Sequence, residues 1–450
     1  MHRALAVALT AALVVVGIML TRAASHKPAD QAADEWQKLQ NAVDSSAGVI
    51  TIPPGTHRIT KPIVIDLTKT GFTAIRGNGV ARIVMAGEGP AFKFIGTHAG
   101  TAEPKSVKEI VWEKERMPSI DGVEIVGEHE RAVGIEAAGT MELTLTRVLI
   151  RKCLHGVHLI SRNRNVIISG CHIYQNRGIG VFMDNVNLHQ ININGSHISY
   201  NLGGGVACIG GEVRNIQVSG CDIEANHAIG GIPTANVLID STGGTNAEVA
   251  ITGNTIQHTR NAAGSANIRI KGPTTPYKGT DENREGHVTI AGNVLSDVKV
   301  NIHLEYARGV AIVGNTLWTG VEYDILAEHS SNIVVGANNL DRNPRYYREE
   351  EKAADAVLFR NCADCSITGL QVVGVRHAPA GVAFENCDRF NVNNLTILDC
   401  DNIGLSLKNV TRSRVSGCLI RDDRPNSKSI PMRTENCPGT AIVDNTLGHP

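Results

Sequence analysis

NVIISGCHIYQN at residues 165–176 is followed by QININGSHISYN at residues 190–201 and by NIQVSGCDIEAN at residues 215–226. The glycines of the three segments are spaced 25 residues apart. Each segment has an alternating apolar run, a corner that contains the glycine and a second alternating run, which is the pattern of two short β-strands. A fixed period of this length, built from strands, predicts a β-solenoid in which every coil packs on the next.

The corner position recurs through the rest of the chain. It is occupied again by Gly253, Gly292, Gly314, Gly336, Gly369, Asn394 and Gly417. The intervals between corners range from 22 to 39 residues, so the shortest is one bare coil and the longer ones contain insertions. We predict one all-β domain at 49–450 with about 11–13 coils. Loop insertions are predicted near 96–118, 242–247, 273–286 and 343–354, and insertions in a solenoid often border the binding face.

Composition limits the function classes. The 450 residues carry a formal net charge of −1, so no overall basic field attracts nucleic acid. Aromatic residues make up only 4% of the chain, which argues against an extended aromatic platform for bases or sugars. Hydrophobic residues make up 42%, which is enough for a large core that a solenoid extends in one dimension.

The N-terminus has the pattern of an export signal. A basic start at 1–3 precedes an apolar run at 4–20 and a small-residue segment at 21–25. This pattern predicts a signal peptide or an uncleaved N-terminal anchor at 1–25, with the body secreted, periplasmic or at the cell surface. Residues 26–48 are predicted to form an amphipathic helix that caps the open end of the solenoid.

Several of the ten cysteines occur in register with the repeat. Three directly follow a corner glycine, and three others end a segment with the pattern Asn-Cys. These cysteines are Cys171, Cys221, Cys418, Cys362, Cys387 and Cys437. The register predicts buried thiols that stack from coil to coil. A disulfide between neighbouring coils is the alternative, because strands about 4.8 Å apart fall within the Cα separation of disulfides.

After the corner, Asn254, Asn293 and Asn315 take the place that cysteines have in the first repeats. Stacked Asn side chains at a tight corner hydrogen-bond along the stack and tolerate the left-handed backbone. These repeats, with an opening strand and turn at 49–56, resemble the right-handed parallel β-helix proteins of the pectin lyase-like superfamily. The resemblance covers nearly the whole chain after residue 30.

The resemblance implies a function in carbohydrate chemistry. The superfamily includes polysaccharide lyases, glycoside hydrolases, epimerases, esterases and non-catalytic adhesins, so the fold alone does not choose among them. A polysaccharide is the expected partner, with no nucleic acid, no membrane contact beyond an N-terminal anchor and a monomeric state. No cofactor is predicted, although the superfamily leaves calcium open.

The candidate chemistry lies on one sheet. Segments of the type Gly-Val-x-Ile-x precede the corner strands, and their apolar residues alternate inward, so the residues between them point outward. Stacking these segments brings an outward patch together beside the insertions at 242–247 and 273–286. The predicted catalytic residues are Lys271, His303, Arg269, Glu305 and Asp324, and the predicted substrate-binding residues are Asp240, Asn267, Asn301, Glu328, His158 and Tyr277.

Two reaction types fit this patch. A lyase that acts on a uronate needs a base and cations around the carboxylate, which Arg269, Lys271 and His303 supply. A hydrolase needs two carboxylates, which Glu305 and Asp324 supply. The leading prediction is a polysaccharide lyase acting by β-elimination. The alternatives are a glycoside hydrolase and a non-catalytic glycan-binding solenoid, in which the patch is an ordinary solvated face.

A second polar cluster lies in the earlier coils and contains arginines, asparagines and several histidines. The histidines are His155, His158, His172, His189 and His197. Their register distributes them over different faces of the solenoid, so no metal site is predicted.

Overall fold

The computed structural model describes residues 33–276, 279–347 and 352–448. The predicted signal peptide or anchor at 1–25 lies outside the described residues. In the described residues the strands pair in parallel with strands one coil before and one coil after them, which confirms the predicted all-β parallel β-helix. Within these same residues no helix is long and apolar enough to span a membrane.

Three parallel sheets run along the solenoid. Sheet A contains Ile63–Asp66, Gly89–Ile95, Ala132–Ala138, Val157–Leu159, Ile179–Asp184, the first parts of Gly204–Ser219 and Ala235–Thr252, Ala266–Lys271, the second parts of Val294–Glu305 and Thr316–Glu328, Ala356–Arg360, Val382–Glu385, Ile403–Lys408 and Ile430–Glu435. Sheet A therefore has more strands than the predicted number of coils.

Sheet B follows the corner glycine in each coil. It contains Gly55–Ile59, the second parts of Ala74–Met85 and Ser119–Gly127, Leu149–Arg151, His172–Tyr174, His197–Ser199, Asp222–Glu224, Thr255–Gln257, the first parts of Val294–Glu305 and Thr316–Glu328, Asn339–Leu340, Gln371–Val373, Thr396–Leu398, Leu419–Arg421 and Thr446–Gly448.

Sheet C precedes the corner glycine. It contains Val49–Thr51, the first parts of Ala74–Met85 and Ser119–Gly127, Thr140–Met141, Thr144–Thr146, Arg162–Ser169, Asn187–Asn194, the second parts of Gly204–Ser219 and Ala235–Thr252, Glu285–Ala291, Ala307–Val313, Ser331–Val335, Ser366–Thr368, Asn391–Asn393, Arg414–Ser416 and Ala441–Val443. Apolar residues that alternate inward from all three sheets form one continuous core.

A helix, Trp36–Asp44, lies across the N-terminal end of the solenoid. Trp36 Nε1 donates a hydrogen bond to the carbonyl of Pro62 over 2.8 Å. The Gln40 amide exchanges two hydrogen bonds with the backbone of Val64, over 2.8 and 2.9 Å. The Gln40 side chain therefore takes the place of a neighbouring strand at the open edge of sheet A. A second short helix, Leu67–Thr70, follows the first strand of that sheet.

The insertions differ in part from the prediction. Residues 96–118 leave the solenoid and form two short helical turns, Pro104–Ser106 and Val111–Glu115. The predicted loop at 242–247 is wrong, because it lies inside the strand Ala235–Thr252, where its paired glycines face those of the coil before. The additional residues of this coil lie instead at 227–234, between sheets B and A.

Buried amide side chains form a ladder along the inner corner before sheet A. Each Nδ2 donates to the Oδ1 of the next member over 2.6 to 2.8 Å. The amide ladder consists of Asn176, Asn201, Asn226, Asn236, Asn267 and Asn301, and it ends on the carboxyl of Asp324. Each of these bonds satisfies polar atoms that would otherwise be buried without a partner.

The ladder overturns one part of the predicted site. Asn267, Asn301 and Asp324 were expected to face outward, but none of them has exposed surface. The backbone pairing between their strands passes over Asn267 and Asn301, which lie where the chain bends into sheet A. The strict inward–outward alternation of a straight strand therefore does not extend to these positions.

The stacked asparagines predicted at the glycine corner are confirmed. Asn254, Asn293, Asn315 and Asn338 form a second ladder with Nδ2–Oδ1 distances of 2.9 to 3.0 Å. The stack continues to the backbone N–H of Cys221, which donates to Asn254 Oδ1 over 2.9 Å.

The ten cysteines are free thiols, and nine of them are buried, as predicted for Cys171, Cys221, Cys362, Cys387 and Cys418; the prediction is wrong for Cys437, which is partly exposed. Burial raises the pKa of Cys153 to about 12 and that of Cys171 to about 11.

We expect a thiol reagent to modify only the partly exposed Cys437 in the native protein and all ten cysteines after unfolding in urea. Counting modified thiols by mass spectrometry checks this result. Rapid native modification of several cysteines would contradict the buried stack.

Candidate functional site

The outward face of sheet A carries two adjacent columns of side chains. The first column contains Asp240, Lys271, Glu305, Glu328, Arg360 and Glu385 in strand order, and the second contains Leu238, Arg269, His303, Leu326, Leu358 and Ala383. Successive members of a column are one strand apart, about 4.8 Å. The predicted stacking of these segments on one sheet is therefore confirmed.

The first column is a chain of ion pairs. Lys271 Nζ lies 3.5 Å from Asp240 Oδ2. Arg360 joins two carboxylates, with Nη1 3.3 Å from Glu328 Oε1 and Nε 2.9 Å from Glu385 Oε2. The hydrogen bond with Glu385 raises the pKa of Arg360. Each of these cations therefore faces at least one carboxylate.

His303 lies at the centre of the predicted site. Its Nδ1 is 3.3 Å from Arg269 Nε and 3.4 Å from Glu305 Oε1, and its Nε2 is 3.4 Å from Glu328 Oε2. The hydrogen bond with His303 lowers the pKa of Glu328. The imidazole is therefore held between two carboxylates on neighbouring strands, with 12% of its side chain exposed.

Arg269 is more buried than a substrate clamp requires. Its Nη2 donates to the carbonyl of Gly264 over 2.8 Å, and its Nε lies 3.6 Å from Glu305 Oε1. Burial lowers the pKa of the guanidinium. Arg269 therefore orients His303 and Glu305 from below and holds the loop that contains Gly264.

The structure brings six of the predicted site residues together: Asp240, Arg269, Lys271, His303, Glu305 and Glu328. Asn267, Asn301 and Asp324 belong to the buried amide ladder instead. Tyr277 lies outside the described residues.

His158 belongs to the same face but to a separate cluster. Its Nε2 lies 3.0 Å from Asp184 Oδ2 and its Nδ1 lies 3.6 Å from Glu136 Oε2. Burial acts to lower the pKa of His158, but the two carboxylates outweigh burial and raise it. The strands between His158 and Arg269 present Phe182, Ala207 and Leu238 in this column, so an apolar stretch separates the two clusters.

A groove of about 400 Å³ continues the site toward the C-terminus. Leu358 and Ala383 form its floor, Tyr323 stands beside them, and Arg360 and Glu385 border it. The walls come from residues 352–354 and 377–380. The predicted patch ends at Glu328 and therefore does not include this groove. The predicted insertion at 343–354 is the sequence feature that indicates a wall at this end of the patch.

Sheet B carries a second groove, of about 510 Å³, on a different face. Tyr174 OH lies 3.2 Å from His197 Nδ1, and Tyr200 OH donates to Glu224 Oε1 over 3.3 Å. Asp222 also lines it. These strands bury their central isoleucine and, in His197–Ser199, also Ser199, while the other flanking residues are at least partly exposed and form a polar groove.

Two family models match the sequence. The model for the right handed beta helix region matches residues 109–256. The model described as periplasmic copper-binding protein (NosD) matches residues 214–449, more than half of the chain. The chain belongs to the NosD family. The resemblance to right-handed parallel β-helix proteins is confirmed with it.

Solved structures are similar to the chain at low identity. The tailspike protein of E. coli bacteriophage HK620, solved in complex with hexasaccharide, aligns with a TM-score of 0.53 and 14% identity over 91% of this chain and 74% of its own. Tailspike protein 3 of bacteriophage CBA120 aligns with a TM-score of 0.45 and 14% identity over 92% of this chain, which spans only 55% of that protein. The A-module of a mannuronan C-5 epimerase from Azotobacter vinelandii gives a TM-score of 0.36 and 11% identity, over 92% of this chain and 96% of the module. No curated protein sequence matches the chain.

The family description names copper, but the described residues do not fit a copper site. In residues 33–276, 279–347 and 352–448, no group of three or more His, Cys, Asp or Glu side chains could hold a metal ion. Thiolates suit Cu(I), yet burial raises the pKa of Cys362 to about 11 and that of Cys387 to about 12. Both thiols are therefore protonated and donate to backbone carbonyls.

Proposed function

We propose that the protein is an exported carbohydrate-binding protein that holds a polysaccharide along the outward face of sheet A. The groove carries this proposal, because an apolar floor of Leu358 and Ala383 lies beside Tyr323 and the ion-paired Arg360. The C–H faces of sugar rings pack on apolar and aromatic surfaces, and fixed polar groups at the border bind their hydroxyls. The hexasaccharide bound by the HK620 tailspike and the periplasmic family description support the proposal.

The charge of the face favours a neutral or weakly charged polysaccharide. The three cations of the predicted patch and the groove, Lys271, Arg269 and Arg360, are already paired with carboxylates. β-Elimination needs cations that are available to a uronate carboxylate, and each cation here is neutralised by the protein itself. We therefore place binding ahead of the β-elimination that the sequence favours.

Hydrolysis is the second candidate, because Glu305 and Glu328 flank His303 on neighbouring strands. Glycoside hydrolysis needs one group that donates a proton and one carboxylate that activates water or attacks the sugar. Glu305 and Glu328 would supply these two roles.

The test is a panel of neutral and acidic polysaccharides with the purified full-length protein. Calorimetry measures binding, reducing ends report hydrolysis, and ultraviolet absorbance of an unsaturated product reports elimination. We expect a neutral polysaccharide to bind and Arg360→Gln to weaken it by about 10-fold or more, since a hydrogen bond to a charged group contributes about 1.5–3 kcal/mol. The same change is expected to alter stability by less than about 1 kcal/mol, because exposed ion pairs contribute little.

Tyr200→Ala, in the groove of sheet B, is the matched control and is expected to bind as the wild type does. The opposite pattern, with binding lost in Tyr200→Ala and kept in Arg360→Gln, would place the site on sheet B. Failure of every polysaccharide to bind would overturn the proposal. Reducing ends that disappear with Glu305→Gln would add hydrolysis to binding, and an unsaturated product would restore the lyase.

A further inference from the structure

Three arginines lie together at the corner between sheets A and C. Arg164, His189 and Arg214 occupy the same position on three consecutive strands, so neighbouring members are about 4.8 Å apart. Arg162 stands two residues before Arg164 in the adjacent column. None of the three arginines forms an ion pair with any described residue, whereas Arg269 and Arg360 of sheet A and Arg308 of sheet C do.

The hydrogen bonds of these arginines go to neutral acceptors. Arg164 Nη1 donates to the carbonyl of Thr101 over 3.0 Å. Arg214 Nη2 donates to Thr245 Oγ1 over 3.0 Å, and Arg162 Nη1 donates to the side-chain oxygen of Asn187. The hydrogen bonds of the three guanidinium groups therefore go to dipoles and not to a carboxylate.

Three carboxylates near the corner are engaged with neutral donors. Glu212 Oε2 accepts from the Asn187 amide over 3.1 Å, and Glu248 Oε2 accepts from the Asn215 amide over 2.7 Å. Glu115, which is buried in the loop 96–118, accepts from the backbone N–H and hydroxyl of Thr97 over 2.7 and 2.8 Å. None of these carboxylates forms an ion pair with the three guanidinium groups, so a bound anion would supply the direct partner that these partly buried charges lack.

Several donors of the cluster are buried and without a hydrogen-bond partner. They are Nε and Nη2 of Arg162, Nε of Arg164 and Nδ1 of His189, and the two ring nitrogens of His98, one donor and one acceptor, are also buried without a partner. Arg164 is 7% exposed and His98 is 2% exposed. Burial, followed by Arg162 and Arg164, lowers the pKa of His98 to about 4, as expected beside uncompensated positive charge.

A cavity of about 110 Å³ lies within this cluster. Arg162, His189, Arg214 and Glu212 line it, and Thr101 of the loop 96–118 closes one side. A water molecule has a share of about 30 Å³ in the liquid, so the cavity has room for one tetrahedral oxyanion. It lies in the N-terminal half of the solenoid, away from the groove beside Arg360.

We propose that this corner is a binding site for a sulfate or phosphate group, held by the guanidinium groups of Arg162 and Arg214 with His189 beside them. Guanidinium groups match the oxygens of such anions with paired hydrogen bonds. The group is either a free inorganic anion or a sulfate or phosphate substituent of a sugar. The site is independent of the proposed groove on sheet A.

Thermal unfolding in buffers of matched ionic strength tests the site. Sodium sulfate and sodium phosphate are expected to raise the Tm of the full-length protein in a saturable manner relative to sodium chloride. Arg162→Gln and Arg214→Gln are each expected to lose at least 10-fold in anion affinity. Without sulfate or phosphate, Arg162→Gln is expected to be at least as stable as the wild type, since it removes one of the crowded charges.

Arg147→Gln, which removes an exposed arginine paired with Asp121, is the control and is expected to keep the full anion response. Titration with N-acetylglucosamine 6-sulfate distinguishes the two sources of the group. If N-acetylglucosamine 6-sulfate binds at least 10-fold more tightly than inorganic sulfate, the ligand of the site is a substituent of a sugar. If it binds equally or more weakly, the ligand is the free anion. A sulfate and phosphate response that equals that of chloride, or that survives in both Arg162→Gln and Arg214→Gln, would overturn the proposal.

Discussion

Replacing Asn267 by alanine is expected to lower the free energy of unfolding by about 3 kcal/mol. Asn267 lies in the middle of the amide ladder, where its Oδ1 accepts from Asn236 and its Nδ2 donates to Asn301 and to the carbonyl of Ser296. The change leaves buried acceptors without this donor and a small cavity beside them. Urea unfolding followed by circular dichroism measures the loss.

A third asparagine ladder, which lies at the surface, provides the control. Asn386 also exchanges side-chain hydrogen bonds with asparagines one coil before and after it, over 3.1 and 2.8 Å, but it is exposed to water. Asn386→Gly keeps the left-handed backbone at this position accessible and is expected to cost less than about 1 kcal/mol. Equal losses for Asn267→Ala and Asn386→Gly would show that burial of the ladder contributes nothing.

Asp324→Asn is expected to stabilise the fold relative to the wild type, by an amount that grows with pH. Asp324 ends the amide ladder, and its Oδ2 is buried without a hydrogen-bond partner. Burial, with the nearby Asp355 as the second cause, raises the pKa of Asp324 well above its usual value. The folded protein therefore binds this proton more tightly than the unfolded chain does.

The sign of the pH dependence follows from this difference. The stability that the Asp324 proton supplies is complete below the ordinary carboxyl pKa and is lost as the pH rises through the raised pKa of the folded state. Asp324→Asn has no proton to lose, so its advantage over the wild type is expected to increase as the pH rises from 5 to 8. Urea unfolding at both pH values measures it. A difference that stays constant with pH, or that also grows in the exposed control Asp222→Asn, would contradict this explanation.

The fold of this chain could be predicted from its periodicity, because each coil repeats apolar residues at the same inward positions. The register of the segments ending at Asp240, Lys271, Glu305 and Glu328 could be predicted, since residues one coil apart must stack at the same position. The inward direction of Asn267 could not, because it depends on a bend between two sheets that an alternating pattern does not mark.

The candidate site was predictable only in part for a similar reason. The alternation of apolar and polar residues indicates that Lys271, His303 and Glu305 face outward. It does not indicate that Lys271 pairs with Asp240 or that His303 contacts Glu305. The groove beside Arg360 depends on two loop walls whose positions no repeat specifies. The anion site at Arg162 depends on a loop folding back over a distant coil, which is a contact that a local pattern does not predict.

A crystal structure of the protein with an oligosaccharide from the polysaccharide that it binds most tightly tests the central claim most directly. We predict sugar rings over Leu358 and Ala383 on the outward face of sheet A, with hydrogen bonds from their hydroxyls to Arg360. Sugar bound instead in the groove of sheet B beside Tyr200, with the face of sheet A unoccupied, would contradict it.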